Sequence, residues 1–313
     1  MFKHAFLIIV SLFFVNQSYA FASQVAPGQC DSKRVTLQIL GTRGPEILDG
    51  QASTGYLIWL DNKARLIVDA GPGSLQRFEQ SQANFEDVDL MLFTHFHADH
   101  SADFPSYIKG AFFTDRTKDL LVMGPTGTQF VASATQFVQR AIGSDGGMYP
   151  YLGDVLDKNA RSAYKVKVTD IPWSFSDLSI KKIYQKNGIV VKTVSTHHGP
   201  FPSQGYRVEL AGCVLSFTGD MSGRLGAMPG LAKNSDILVA HNAIPENATG
   251  VPALLHMTPS YIGRMAKEAH VKLLLLTHLM KRSLSVKPQT LKLIRQQYQG
   301  KVLFPNDLDQ FIP

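Results

Sequence analysis

The stretch FTHFHADHSAD, residues 93–103, sets three histidines and two aspartates within eleven positions, directly after the apolar run Leu90-Met91-Leu92-Phe93. Aspartate is almost never fully buried unless paired, and histidine is only intermediate in burial. Such a cluster at the end of an apolar strand therefore calls for a partner. Side chains alternate along an extended segment, so His95 and His97 point the same way. Asp99 and His100 follow where the chain turns into a helix. Imidazole and carboxylate together suit zinc, and also iron or manganese. Zn–N bonds of about 2.0–2.1 Å require the donors to converge tightly, and one short segment cannot complete two such shells. Further donors stand after other apolar runs: His198 after VVKTVSTH, Asp220 after VLSFTG and His278 after KLLLLT. A lone polar group at a strand end is usually a satisfied surface residue. Three of them, added to the cluster, form a metal-ligand pattern.

The elements that must position these donors read as strands first, then strand–helix units. RVTLQILGTRG, STGYLIWL and ARLIVDAGPGS are β runs, and VDLMLFT is the buried strand that leads into the cluster. LLVMGPTG, IVVKTVST, QGYRVELAG, CVLSFTGD, DILVAHN and VKLLLLTH are further strands. Helices are predicted over 74–85, 127–141, 258–270 and 287–299, the third with Thr258 as N-cap and a proline just after it. Residues 143–163 lose periodicity and read as a loop or lid, with SDGGMYPYLGD as a source of aromatic contacts to a leaving group. The order argues one α/β domain with sheets packed on each other. There are no internal repeats or low-complexity tracts.

The chain has 313 residues, 44% hydrophobic and 18% charged, with a formal net charge of +6. That is ordinary globular composition, and its thinly spread basic excess, clustered at Lys281-Arg282 and at Lys287, Lys292 and Arg295, carries no nucleic-acid module. Lys3, the apolar run Ala5–Val15 and the small residues Ser18, Ala20 and Ala22 have the layout of a secretory signal peptide. The domain organisation expected is a signal peptide over 1–22, cleaved after Ala20 or Ala22, and a single domain over 23–313, periplasmic or secreted. The run is shorter than the ~20 apolar residues of a membrane span, so no membrane association is expected after cleavage. The two cysteines, Cys30 and Cys213, are either a disulfide or two separate thiols.

His-x-His-x-Asp-His at His95, His97, Asp99 and His100 is the signature of the metallo-β-lactamase-fold hydrolases. The chain resembles that family over nearly its whole mature length, with LGTRGP, LIVDAGPG, LVMGPTG, THHGPFPSQGYRV, FTGDMS and LLLLTHL in the family's order. It looks most like the ribonuclease Z-like and arylsulfatase-type exported branch. The resemblance implies a four-layer αβ/βα sandwich of α/β (α+β) class and two divalent metal ions, zinc first, with Mn²⁺ or Fe²⁺ as alternatives. His95, His97 and His198 would hold one ion, Asp99, His100 and His278 the other, and Asp220 would bridge them. His198 is preferred over the adjacent His197 as the ligand. Asp69 is either an orienting partner of a ligand histidine or a turn residue.

The resemblance further implies a dinuclear hydrolase that uses a metal-bridging hydroxide to cleave a phosphodiester, sulfate ester or lactone. Asp99 and His256 are the candidate catalytic residues, His256 as general acid or phosphate contact. Asp220 stands where true β-lactamases place Cys or Ser. The alternatives are a ribonuclease Z-like phosphodiesterase on nucleic acid and a catalytically silent metal-binding protein. Two departures count against tRNA processing. The family's His-x-Glu is here His241-Asn242-Ala243, and the signal peptide directs the chain away from the cytosol. His241 is then either a pocket residue or a strand-end polar group. The expectation is accordingly a small-molecule or ester substrate, no stable nucleic-acid partner, and a homodimer by analogy with relatives.

Overall fold

The computed structural model describes residues 29–313, and the signal-peptide expectation for 1–22 lies outside them. Within the described residues, fourteen strands form two seven-stranded sheets. The first holds β1 (Val35–Gly41), β2 (Gly55–Leu60), β3 (Lys63–Ala70), β4 (Leu90–Leu92), β5 (Leu120–Pro125) and β6 (Val166–Ile171), with β14 (Gln310–Phe311) at its far edge. The second holds β7 (Lys181–Lys186), β8 (Ile189–His198), β9 (Phe201–Leu210), β10 (Cys213–Phe217), β11 (Ile237–His241), β12 (Leu273–Thr277) and β13 (Lys301–Leu303). Each sheet is antiparallel at one side and parallel at the other. β3 to β6 run parallel in the first sheet, and β10 to β13 in the second.

The helices are α1 (Ser74–Gln80), α2 (Ala98–Ser101), α3 (Phe104–Ala111), α4 (Ala134–Ile142), α5 (Met228–Leu231), α6 (Gly250–Leu255), α7 (Pro259–Glu268), α8 (Lys281–Leu284) and α9 (Lys287–Arg295). The layers follow from alternation along each strand. In β3, Leu66 and Val68 face the second sheet and join Val191, Val208, Leu215 and Val239 in the central core. Ile67 faces outward and packs with Phe78, Tyr107 and Val138 under α1, α3 and α4. In β12, Leu275 points to the centre, while Leu274 and Leu276 meet Met228, Ile262 and Ile294 under α5, α7 and α9. Strands buried on both faces read as continuous apolar runs. The result is the helix–sheet–sheet–helix sandwich expected.

Where the elements differ from expectation, the cause is local. The helix predicted over 127–141 begins at Ala134, because Ser133 and Gln136 form a capping box there. The helix predicted over 74–85 ends at Gln80, and Gln82 follows with φ 59°. β6 and β7 carry no clear hydrophobic period. Both are edge strands, and β7, with three lysines in KKIYQK, carries the charge that keeps an open edge from pairing with another chain. Cys30 and Cys213 form a disulfide across a sequence separation of 183, tying the start of the described chain to β10.

Candidate metal centre

The donors converge at one end of the sandwich. β4 gives way to Thr94 and His95, and α2 carries Asp99 and His100. β8 ends in His198, β10 leads to Asp220, β11 ends in His241 and β12 leads to His278. His95, His97, His198 and Asp220 offer ligand atoms within 4.8 Å of one another, and so do His100, Asp220, His241 and His278. Asp220 belongs to both sets. Its Oδ2 lies 4.0 Å from His95 Nε2, 3.7 Å from His100 Nε2 and 3.6 Å from His198 Nε2. Its Oδ1 lies 3.3 Å from His278 Nε2. Asp99 Oδ2 joins the second set, 3.5 Å from His100 Nε2 and 3.1 Å from His278 Nε2.

The ring nitrogens show which side of each histidine faces inward. His100 Nδ1 donates to Asp69 Oδ2 at 2.9 Å, and His198 Nδ1 donates to the Leu255 carbonyl at 2.9 Å. Each thereby carries its proton outward and turns the Nε2 lone pair to the centre. His95 Nε2 and His100 Nε2 are buried and have no hydrogen-bond partner. Buried polar atoms are rarely left so, and two of them 4.0 and 3.7 Å from one carboxylate oxygen fit a cation between. The donor set of imidazoles and carboxylates fits zinc, iron or manganese.

Asp69 is more than a turn residue. Its Oδ1 accepts from Thr94 N at 2.7 Å and its Oδ2 from Thr94 Oγ1 at 2.8 Å, as well as holding His100. It does so from a left-handed backbone, φ 58°, and His278 has φ 55°. Such strain in non-glycine residues gathers at functional sites. His241 is oriented rather than free: its Nδ1 meets Asp220 Oδ1 at 2.8 Å and its Nε2 meets the Tyr56 hydroxyl at 2.9 Å, which also reaches Thr277 Oγ1 at 2.7 Å. Tyr56, Thr94 and Thr277 were not singled out in the sequence, where they read as ordinary strand residues. Asp103 stands apart from the cluster and caps α1, accepting from Leu75 N at 3.0 Å. His197 points elsewhere, to Ser222 Oγ at 2.7 Å.

Charge is strongly coupled here. Burial would raise the Asp220 carboxyl, but the rings of His278, His256 and His100 hold it well below the usual range. Burial would also raise Asp99, and His100 and His278 hold it far below. Burial pushes His198 and His241 down to about 4 and His256 to about 3. For His100 burial is outweighed by Asp99, Asp69 and Asp220, so its pKa rises. The carboxylates thus draw positive charge onto this side of the site, and a divalent ion competes with protons for the same nitrogens.

Over the cluster lies a cavity of about 280 Å³, with Pro45, Val251, Leu255 and Met280 as apolar wall and His256 and Arg282 as its polar groups. His256 is buried, with Nδ1 unpartnered and 3.8 Å from Asp220 Oδ2. Arg282, which the sequence offered only as part of a surface patch, is fixed by donating Nε to the Ala243 carbonyl at 2.8 Å. Ala243 is the position where the expected glutamate is missing. None of residues 144–154 lines this cavity, so the expected lid does not cover it. Leu152 of that segment and Val155 just after it are instead buried in the core layer that α3 and α4 also line.

The beta-lactamase superfamily domain matches residues 64–279. The chain belongs to the beta-lactamase superfamily. It is 25% identical over 289 residues to ribonuclease Z of Mycobacterium bovis, covering 87% of this chain and 96% of that one. Among solved structures, the metallo-beta-lactamase fold protein YhfI of Bacillus subtilis is similar at a TM-score of 0.67 and 20% identity, over 88% of this chain and 98% of that one. Human tRNase Z, short form, is similar at a TM-score of 0.67 and 19% identity, over 89% and 99%. These relatives correct one expectation. A small-molecule ester substrate with no nucleic-acid partner does not agree with an alignment to a ribonuclease over nearly its full length. The features that pointed away from nucleic acid, the missing glutamate and the amino-terminal segment, leave the metal donors and His256 untouched.

Proposed function

We propose that this metal-dependent hydrolase of ester bonds is a dinuclear phosphodiesterase acting on nucleic acid, with one hydrolase domain over residues 23–313, exported after cleavage of a signal peptide over 1–22. The observation that carries the reading is Asp220 shared between two donor sets, one holding His95 and the other His100, whose buried Nε2 atoms lack hydrogen-bond partners. His95, His97 and His198 would hold one ion, and Asp99, His100 and His278 the other, with Asp220 between them. Such a pair supplies Lewis-acid polarisation of phosphoryl oxygens and a water nucleophile at neutral pH. His241, itself held by the Tyr56 hydroxyl, holds the Asp220 carboxylate in place, and Asp69 holds His100.

The protein's own groups address the rest of the substrate. His256, kept neutral by burial, presents a ring nitrogen towards the cavity as a hydrogen-bonding group for a phosphoryl or leaving oxygen. Arg282 adds a fixed positive charge at the wall, suited to a phosphate. The alignment to ribonuclease Z over 96% of that protein supports a phosphodiester of nucleic acid. The Cys30–Cys213 disulfide supports an oxidising compartment.

The test is to count metal ions per purified chain and to assay RNA and bis(4-nitrophenyl) phosphate with and without chelator, with Asp220→Ala as control. About two ions per chain, and phosphodiester cleavage lost with chelator and in the variant, is the expected result. A chain without metal, or cleavage indifferent to Asp220→Ala, would overturn the reading. Amino-terminal sequencing of the protein from the periplasmic fraction tests the cleavage after Ala20 or Ala22.

A further inference from the structure

A second surface feature lies away from the metal centre, at the far end of α3. Among the described residues, Phe112, Phe113, Tyr149 and Tyr151 account for four of the six large aromatic side chains that stand exposed, and Phe113 is 80% accessible. Lys109 Nζ sits over three of these rings, 5.6 Å from the centroid of Phe112, 5.0 Å from Phe113 and 5.3 Å from Tyr151. Tyr149 and Tyr151 meet edge to face at 6.5 Å. Beside them opens a cavity of about 220 Å³ whose lining includes Phe112, Arg161 and one carboxylate residue, Asp154. Among the described residues, neither Lys109 nor Arg161 pairs with a carboxylate.

The segment that supplies the tyrosines is anchored. Leu152 and Val155 are buried, and Met148 N and Tyr149 N bond to the carbonyls of Arg140 and Ala141 at the end of α4. Exposed rings on a fixed backbone are costly to solvate in such number, and an apolar patch of this kind marks a contact surface. The mixture of aromatic rings with two cations that no carboxylate neutralises, Lys109 held over the rings and Arg161 beside them, selects the partner. Bases stack on aromatic side chains with little regard to sequence, while cations track the phosphates. A two-fold contact between copies would bring the same patch together, setting Lys109 and Arg161 of each copy near those of the other.

We propose that this face is a stacking platform for unpaired bases of a single-stranded nucleic acid whose scissile phosphate lies in the metal centre. The proposal rests on the phosphodiesterase reading and names the form of its substrate. α3 begins four residues after His100 and runs about 12 Å away from the cluster, so the platform stands beside the starts of β5 and β6, at the opposite edge of the first sheet from the metal donors. A mononucleotide-sized diester would not reach it, and an oligonucleotide would.

The experiment compares metal-loaded wild type with Phe113→Ala/Tyr151→Ala and with Lys109→Gln. Fluorescence anisotropy with a labelled single-stranded 12-mer RNA reads binding, and bis(4-nitrophenyl) phosphate turnover reads the metal centre. Sedimentation reads the oligomeric state. The double variant is expected to bind the RNA at least about tenfold more weakly, since each stacked base contributes roughly 1–3 kcal/mol. Its turnover of the small diester should stay within twofold. Lys109→Gln should reduce the salt dependence of RNA binding by about one phosphate contact. Unchanged RNA affinity in the double variant, or no RNA binding by wild type, overturns the platform, and so does a shift from dimer to monomer with RNA affinity intact. If wild type cleaves no phosphodiester, the functional reading fails, while the anisotropy comparison still decides the platform.

Discussion

Asp69→Asn separates orientation of a ligand from ligation itself. The substitution conserves shape, and one amide oxygen can still accept from Thr94 N, now 2.7 Å from Asp69 Oδ1. The other position becomes an amino group facing His100 Nδ1, now 2.9 Å from Asp69 Oδ2. An amino group donates, so His100 Nδ1 must accept, and the ring proton moves to Nε2. That nitrogen is the one aimed between Asp99 and Asp220, 3.5 Å from Asp99 Oδ2 and 3.7 Å from Asp220 Oδ2. A protonated Nε2 offers no lone pair to an ion. Loss of such an outer partner typically costs about 10–100-fold in metal affinity, or roughly 1.4–2.7 kcal/mol. The loss should fall on one ion of the two, because the set of His95, His97, His198 and Asp220 does not use His100. Titration with a competing chelator should therefore show one ion released early and the second with wild-type affinity. Two ions released together at unchanged affinity would refute the assignment of Asp69 as the group that sets the His100 tautomer.

Three further outcomes follow from the same structure. His256→Ala should retain its metal content and lose roughly 10²–10⁴-fold in phosphodiester turnover if the ring serves proton transfer or the leaving oxygen, as read by steady-state kinetics beside metal analysis. Opening the Cys30–Cys213 link, which spans 183 residues, removes a chain-entropy constraint worth up to about 5 kcal/mol, so Cys30→Ser/Cys213→Ser should melt well below wild type, and equal melting would count against a stabilising bridge. At Asp89, burial would raise the carboxyl, but Lys118 and Arg65 outweigh it and lower its pKa. A depressed carboxyl contributes stability above its unfolded value of about 3.9 and loses it as pH falls through the folded value. The melting difference between wild type and Asp89→Asn should thus be constant above about pH 5 and shrink below pH 4, and a constant difference down to pH 3 would contradict the ion pairs as its source.

The metal donors were legible in the sequence because each is a polar residue placed where an apolar run stops. That signal is one-dimensional and survives without coordinates. Tyr56 carries no such mark. It alternates correctly in β2 and reads as sheet packing, and its hydroxyl gains meaning only when His241, 185 residues on, arrives from the other sheet. Asp103 fails in the opposite sense. It has the same chemistry as Asp99 and lies four residues along, yet it faces the first turn of α1 and accepts from Leu75 N. Residue type cannot separate the two; direction can. Arg282 was hidden by its neighbour, since Lys281-Arg282 looks like one surface pair, while Lys281 is exposed and Arg282 turns inward to Ala243. β6 was missed because its alternation is confined to Val166–Thr169 before the polar Asp170, and β7 because three of its six residues are lysine and a register shift between Lys182 and Tyr184 breaks its period.

The convergence itself follows from chain direction. β3, β4 and β5 run parallel in one sheet, as do β10, β11 and β12 in the other, and open α/β sheets gather their sites beyond the carboxyl ends of such strands. Asp69, His95, Asp220, His241 and His278 all stand at or just past those ends. β8 pairs antiparallel with β9, and β9 antiparallel with β10, so β8 runs in the direction of β10 and delivers His198 to the same edge. Donors from two sheets can then share Asp220 only if the sheets keep their relative position. That position is held by the central core, where Val68 and Leu92 from one sheet meet Leu215 and Val239 from the other. The metal centre therefore depends on the core between the sheets as well as on its ligands. Val239→Ala, two residues before His241 and buried in that core, should loosen metal binding as well as lower stability by about 2 kcal/mol. Weaker stability with wild-type metal affinity would show instead that the ligand edge is rigid on its own.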